Sequence, residues 1–155
     1  MERHMIGKVL LVEDNATQQT LMKVLAKRFG LDMRTVWSAP QALEALNQEN
    51  FDLILMDWQL PGMDGLQCTS LIREIDRARG RRTPVVAVTA ADAEGNREHC
   101  LQAGMDDFLS KPFTIEEFEQ LIKRWLLAPN TVHHAFDAGG DFNANNERGT
   151  EAPRS

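Results

Sequence analysis

Short apolar runs alternate with amphipathic segments along most of the chain. Lys8-Val-Leu-Leu-Val12 is aliphatic and β-branched, stops at an acidic pair, and predicts a buried strand. Asn15 can cap the helix that follows, with Leu21, Met22, Leu25 and Phe29 marking a helical face and Gly30 closing it. Asp32 to Val36 predicts a weaker second strand. Ser38-Ala-Pro-Gln41 then opens a second helix with capping-box spacing and an early proline, and Ala42, Leu43 and Leu46 form its apolar stripe. Leu53-Ile-Leu-Met-Asp57 is a third buried strand, running into the turn-rich loop Gln59-Leu-Pro-Gly-Met-Asp-Gly65. Leu66, Leu71, Ile72 and Ile75 space a third helix, and Pro84-Val-Val-Ala-Val-Thr89 is a fourth strand. Ala93 to Ala103 predicts a helix closed by Gly104, and Asp107 to Ser110 a short fifth strand. Thr114-Ile-Glu-Glu117 is a second capping box, opening a last helix with Phe118, Leu121, Ile122 and Trp125 on its face.

Five strand–helix units in about 120 residues imply an α/β fold, a doubly wound parallel sheet with helices on both faces, because right-handed crossovers leave few other topologies. Ligands in such sheets bind beyond the carboxyl ends of the strands, where strand order reverses. From Ala128 the character changes. Residues 128–155 are rich in Pro, Gly, Asn and acid, with Val132, Phe136 and Phe142 as the large apolar side chains, a composition that predicts a disordered tail. The expected organisation is therefore one domain over residues 6–127, a tail over 128–155, and an N-terminal extension over 1–5 ahead of a possible start at Met5.

Composition narrows the functional classes. The net charge of −6 over 155 residues argues against nucleic-acid binding by the chain as a whole, since phosphate contact needs clustered positive charge. Cys68 and Cys100 are too few for a disulfide framework and show no metal-ligand spacing, so they are expected to be packing residues in a reducing, cytoplasmic setting. No apolar run approaches the roughly 18 residues of a membrane span.

The chemistry collects at the strand ends. Glu13 and Asp14 end the first strand, Asp57 the third and Thr89 the fourth, and Lys111 follows the fifth. On one edge of a sheet the three carboxylates would repel one another unless a cation were bound or a proton retained. Oxygen ligands without Cys or His favour a hard ion, with Mg²⁺ the natural candidate because it keeps waters and accepts phosphate oxygens. A carboxylate nucleophile, a metal, a lysine and a hydroxyl make a phosphoryl-transfer set, with Asp57 able to form an acyl phosphate while Lys111 and Thr89 contact phosphoryl oxygens.

Val12-Glu-Asp-Asn15, Leu55-Met-Asp-Trp-Gln-Leu-Pro-Gly-Met-Asp-Gly65, Val88-Thr-Ala90 and Leu109-Ser-Lys-Pro112 together resemble the ordered signature of the response-regulator receiver family of two-component signalling. The feel is closest to receivers of hybrid sensor histidine kinases. The resemblance implies a flavodoxin-like sheet of order 2-1-3-4-5 and phosphoryl transfer from a phosphohistidine to Asp57. It implies Mg²⁺ held by Glu13, Asp14, Asp57 and the main-chain carbonyl of Gln59, Lys111 paired with the phosphoryl group, and a cis bond before Pro112. Thr89 and Phe108 correspond to the switch pair, and Gln59 and Ala91 to positions that tune hydrolysis. Trp58 departs from the small aliphatic residue usual beside the acceptor. A histidine kinase or histidine phosphotransfer protein is implied as donor. The output partner would be met through the surface of the fourth helix, fifth strand and fifth helix. The implied role is a signalling receiver that catalyses its own phosphorylation and slow dephosphorylation.

Other readings are set by particular residues. An aspartyl phosphatase usually wants a second carboxylate two residues past its nucleophile, where this chain has Gln59. A flavodoxin-like nucleotide or flavin binder needs a phosphate cradle after the first strand, where Glu13-Asp14-Asn15 puts acid instead. Arg73, Arg77, Arg79, Arg81 and Arg82 are expected to form a solvated face and loop rather than a docking patch for an acidic partner, and Asp64 a turn rather than a ligand. His133 and His134, in the tail, lack a helical scaffold for a ligand or relay role.

Overall fold

The computed structural model describes residues 7–60, 62–90 and 93–126, with the backbone alone for 93–97. The expected segments 1–5 and 128–155 therefore lie outside the described residues, as does Ala91. Along the described chain the elements are β1 (Lys8–Val12), α1 (Ala16–Arg28), β2 (Asp32–Val36), α2 (Ala39–Gln48), β3 (Leu53–Met56), α3 (Gly65–Arg79), β4 (Val85–Thr89), α4 (Ala93–Gln102), β5 (Asp107–Ser110) and α5 (Ile115–Leu126). The strands form one parallel sheet of order β2-β1-β3-β4-β5, as expected.

Alternation along the strands divides the core in two. Leu10, Val12, Ile54, Met56, Val85 and Ala87 pack against Ala42, Leu46, Cys68, Ile72 and Cys100, residues of α2, α3 and α4. Val9, Leu11, Leu53, Leu55, Val86 and Val88 pack on the other side against Met22 and Leu25 of α1 and Phe118, Leu121, Ile122 and Trp125 of α5. Both faces of the central strands are thus buried, which is why their sequences read as continuous apolar runs.

Local capping follows the sequence closely. Asn15 accepts the Gln18 N–H, Ser38 caps α2, and Thr114 and Glu117 exchange side-chain to main-chain hydrogen bonds at α5. Asp64 is the N-cap of α3, its Oδ1 accepting the Gln67 N–H at 2.8 Å, a defined role for a residue expected only to turn. That helix runs four residues past Ile75, to a left-handed Gly80.

Two expectations are corrected. Leu21 does not face inward but is 48% exposed, and the buried positions of α1 are Gln19, Met22, Leu25 and Ala26. The Gln19 amide earns its buried place by donating to the carbonyls of Glu13 (2.7 Å) and Val36 (3.2 Å), which fixes the phase of the helix. The arginines are not a uniformly solvated face. Arg73 is buried and donates to the carbonyls of Gly104 and Thr83 and to Asp106, while Asp76 accepts from the Thr83 N–H and Arg82 pairs with Asp106. A buried guanidinium needs such partners, and here they lock α3 to the α4–β5 connection and to the residues leading into β4, at the amino edge of the sheet.

Candidate functional site

Strand register brings the chemistry together. Val12 pairs with Val36 on one side and Met56 on the other, so the residues that follow, Glu13 and Asp57, leave the sheet side by side. The main chain holds them there: the Glu13 N–H donates to the Val36 carbonyl at 3.1 Å and the Asp57 N–H to the Val12 carbonyl at 3.0 Å. Thr89 ends β4 opposite Ser110, and its carbonyl accepts the Lys111 N–H at 2.9 Å, which turns the lysine toward the same edge. The Lys111–Pro112 peptide is cis, as expected.

Carboxylate oxygens of Glu13, Asp14 and Asp57 lie within 4.8 Å of one another. Among the described residues no other trio of Asp, Glu, His or Cys gathers in this way. Lys111 Nζ stands 2.7 Å from Glu13 Oε1 and 3.5 Å from Asp57 Oδ2. Glu13 is buried, Asp14 is exposed, and the Asp57 side chain keeps 13% of its surface in solvent. Burial pushes the Glu13 carboxyl above its ordinary range, with the Lys111 hydrogen bond and charge opposing the rise and the Asp57 charge adding to it. Glu13 Oε2 also accepts the Asn15 N–H, and Asp57 Oδ1 accepts the Gln59 N–H at 3.0 Å, so one oxygen of Asp57 is oriented and the other faces the lysine.

Close packing explains the loop after Asp57. A Cβ on Gly65 would meet the Asp57 carbonyl at 2.8 Å and the Trp58 Cα at 3.0 Å, and the Gly65 N–H donates to the Trp58 carbonyl. Glycine is required because the start of α3 returns over the backbone of Asp57 and Trp58. Trp58 itself packs against the α2–α3 core, its ring meeting His99 of α4 edge-on at 6.4 Å between centroids.

Every described side chain singled out from the sequence is thus located. Glu13, Asp14, Asp57 and Lys111 meet in one cleft, Thr89 is buried at the adjoining strand end, and Phe108 is partly buried against the core on the α2–α3 face. Gln59 is exposed beside Asp57. Sequence reasoning missed two supports. Gln19 ties Glu13 to Val36, and buried Asp107 accepts from the Phe108 N–H, Arg124 and the Trp125 indole, fastening α5 beside Phe108. The available signals were a Gln three residues before Met22 on the helix's inner face and an acid opening a short buried strand.

A doubly wound parallel sheet that gathers an acidic trio and a lysine beyond the carboxyl ends of its strands belongs to a class of domain with a carboxylate-rich site at that edge. Comparison makes the class specific: the response regulator receiver domain model matches residues 9–123, and the chain belongs to that family. It is a receiver domain of the two-component and phosphorelay type. The chain is 39% identical over 119 residues to the sensor protein GacS of Pseudomonas syringae pv. syringae, covering 76% of this chain but 13% of that protein. It is 39% identical over 110 residues to hybrid signal transduction histidine kinase I of Dictyostelium discoideum, covering 68% of this chain and 6% of that one. The chain therefore spans a small part of the curated relatives it matches. Among solved structures, the receiver domain of the sensor histidine kinase PA1611 from Pseudomonas aeruginosa PAO1, with magnesium coordinated in its active-site cleft, is 39% identical with a TM-score of 0.69, covering 77% of this chain and 96% of that one. The chemotaxis response regulator CheY4 of Vibrio cholerae, 23% identical with a TM-score of 0.71 and coverage of 78% and 99%, shares the fold.

Proposed function

We propose that Asp57 accepts a phosphoryl group from a phosphohistidine and that the resulting acyl phosphate switches a protein-interaction surface. The observation that carries this reading is the meeting of Asp57, Glu13, Asp14 and Lys111 in one cleft. An Asp57 carboxylate oxygen attacks phosphorus, an O–P bond forms and the N–P bond breaks. The electron pair returns to the imidazole nitrogen, which takes up a proton from solvent. Lys111 shifts from its carboxylate partners toward the new phosphoryl oxygens, and the Thr89 hydroxyl binds one of them.

The acidic trio fits Mg²⁺. An ion with oxygens at about 2 Å brings its ligands within roughly 4 Å of one another, a small contraction from the observed spread. Glu13, Asp14 and Asp57, with the Gln59 carbonyl, would hold it. When bound it supplies charge neutralisation on the phosphoryl oxygens.

Thr89 and Phe108 are the proposed link to the surface of α4, β5 and α5. A cavity of about 260 Å³ lined by Phe108, Leu109 and Leu121, among others, favours that face as the place where a partner reads the switch. Gln59 and Ala91 are proposed to tune hydrolysis of the acyl phosphate. A histidine kinase or histidine phosphotransfer protein is the proposed donor, and the cytoplasm the proposed setting. Among the described residues no helix is long and apolar enough to cross a membrane. The domain is proposed to occupy residues 6–127. The test is to incubate the protein with acetyl phosphate and Mg²⁺ and weigh it. One phosphoryl group should be added, EDTA should prevent it, and Asp57→Asn should abolish it; an unchanged wild-type mass, or labelling that survives in Asp57→Asn, defeats the assignment.

A further inference from the structure

At the carboxyl edge of the sheet, one strand beyond the acidic pair, an indole stands half in solvent. Trp37 directly follows β2 and is 47% exposed. A single exposed apolar residue needs no explanation in itself. Its position and its anchorage do. The Val36 carbonyl accepts both the Glu13 N–H and the Gln19 amide, and the Trp37 N–H donates to Gln41 Oε1 at 2.7 Å. The root of the indole is therefore tied to the same peptide that carries Glu13 and to the first turn of α2.

Register gives the distance. Val36 pairs with Val12 and Val12 with Met56, so Trp37 leaves the sheet two strands from Asp57, roughly 10 Å away at a strand spacing of about 4.8 Å. Asp57 is recessed, with 13% of its side chain exposed, and Lys111 beside it with 16%. A protein delivering a phosphohistidine must lower its imidazole into that recess, and the surface around the histidine must then cover the rim. A standard interface of about 800 Å² per partner is a disc of roughly 16 Å radius, so one centred on Asp57 reaches Trp37. A small phosphodonor entering the recess has no such reach. Tryptophan on a preordered backbone is the kind of residue that carries binding energy at an interface, since little ordering cost remains.

We propose that Trp37 is a docking contact for the phosphohistidine-bearing protein, a specificity-determining residue that sets affinity for a protein donor and leaves transfer at Asp57 unchanged. This rests on the reading of Asp57 as phosphoacceptor. The experiment compares wild type, Trp37→Ala and Trp37→Phe with two donors. One is acetyl phosphate with Mg²⁺. The other is a purified histidine phosphotransfer protein, phosphorylated on its histidine and chosen because it labels the wild-type chain. With the protein donor below saturation, Trp37→Ala should slow transfer by about tenfold or more, the scale of one interface hot spot. At saturating donor all three proteins should agree within about twofold, and Trp37→Phe should recover most of the subsaturating rate. Acetyl phosphate should label all three alike. Equal transfer from the protein donor to Trp37→Ala and wild type at every concentration overturns the proposal, and so does an equal slowing with both donors, which marks local damage. Failure of acetyl phosphate to label even wild type would instead strike the phosphoacceptor reading beneath it.

Discussion

Replacing Asp57 with Asn should make the metal-free protein more stable while abolishing the proposed phosphorylation. Three carboxylates share a cleft with one lysine, so the cluster carries an excess of two negative charges. At an effective dielectric of about 20, each repulsion between Asp57 and its acidic neighbours across 4.8 Å is worth about 3.5 kcal/mol, and the attraction to Lys111 across 3.5 Å about 4.7 kcal/mol. Neutralising Asp57 removes two repulsions and one attraction, a net gain near 2 kcal/mol. Because Asp14 is exposed, water screens about a third of its repulsion, and about 1 kcal/mol is the expected gain. The isosteric amide keeps an Oδ1 to accept the Gln59 N–H, so no hydrogen bond is lost to offset it. Urea denaturation in EDTA should show the gain as a higher midpoint at unchanged slope, and thermal melts as a rise of about 3–6 °C. Mg²⁺ should then reverse the order, stabilising wild type by about 2.7 kcal/mol at a hundredfold excess over its dissociation constant and the variant by less. Equal stability of the two proteins in EDTA, or an equal gain from Mg²⁺, would refute the picture of a repelling cluster that a cation relieves.

Other outcomes follow from the same geometry. Arg73→Met should destabilise the fold by about 2–4 kcal/mol in urea titrations, because it removes the buried donors to the Gly104 and Thr83 carbonyls and leaves Arg82 as the remaining cation on Asp106; a loss below about 1 kcal/mol would mean the network is not a clamp. Burial pushes the Cys68 thiol up to about 12, and Cys100 is equally buried, so a thiol reagent at mildly alkaline pH should label neither in the native protein and both in denaturant. Rapid native labelling would contradict the packing. For Glu13, whose carboxyl is held above its ordinary range, the folded metal-free chain binds the proton more tightly than the unfolded chain. Its stabilising contribution is therefore fullest below the ordinary carboxylate pKa and is lost as pH rises through the raised value. Denaturation in EDTA should show wild type weakening relative to Glu13→Gln across that interval; a difference flat in pH would count against it.

Much of this was legible in the chain itself, for physical reasons that differ by residue. Strands buried on both faces must be apolar throughout, so β1, β3 and β4 announce themselves as runs, and caps such as Asn15, Ser38 and Thr114 act on backbone groups three residues away. Strand ends in a parallel sheet share one edge, which placed Glu13, Asp14, Asp57 and Lys111 together before any coordinates. What only the tertiary structure decided were contacts between groups distant in sequence. Leu21 reads as a core residue until Gln19 is seen to claim the inner face of α1 through the carbonyls of Glu13 and Val36. Arg73 reads as a surface charge until Gly104 and Asp106, more than thirty positions later, supply its partners. Local periodicity reports which face a helix can bury. It cannot report which polar groups another segment will bring to satisfy one side chain and leave its neighbour in water.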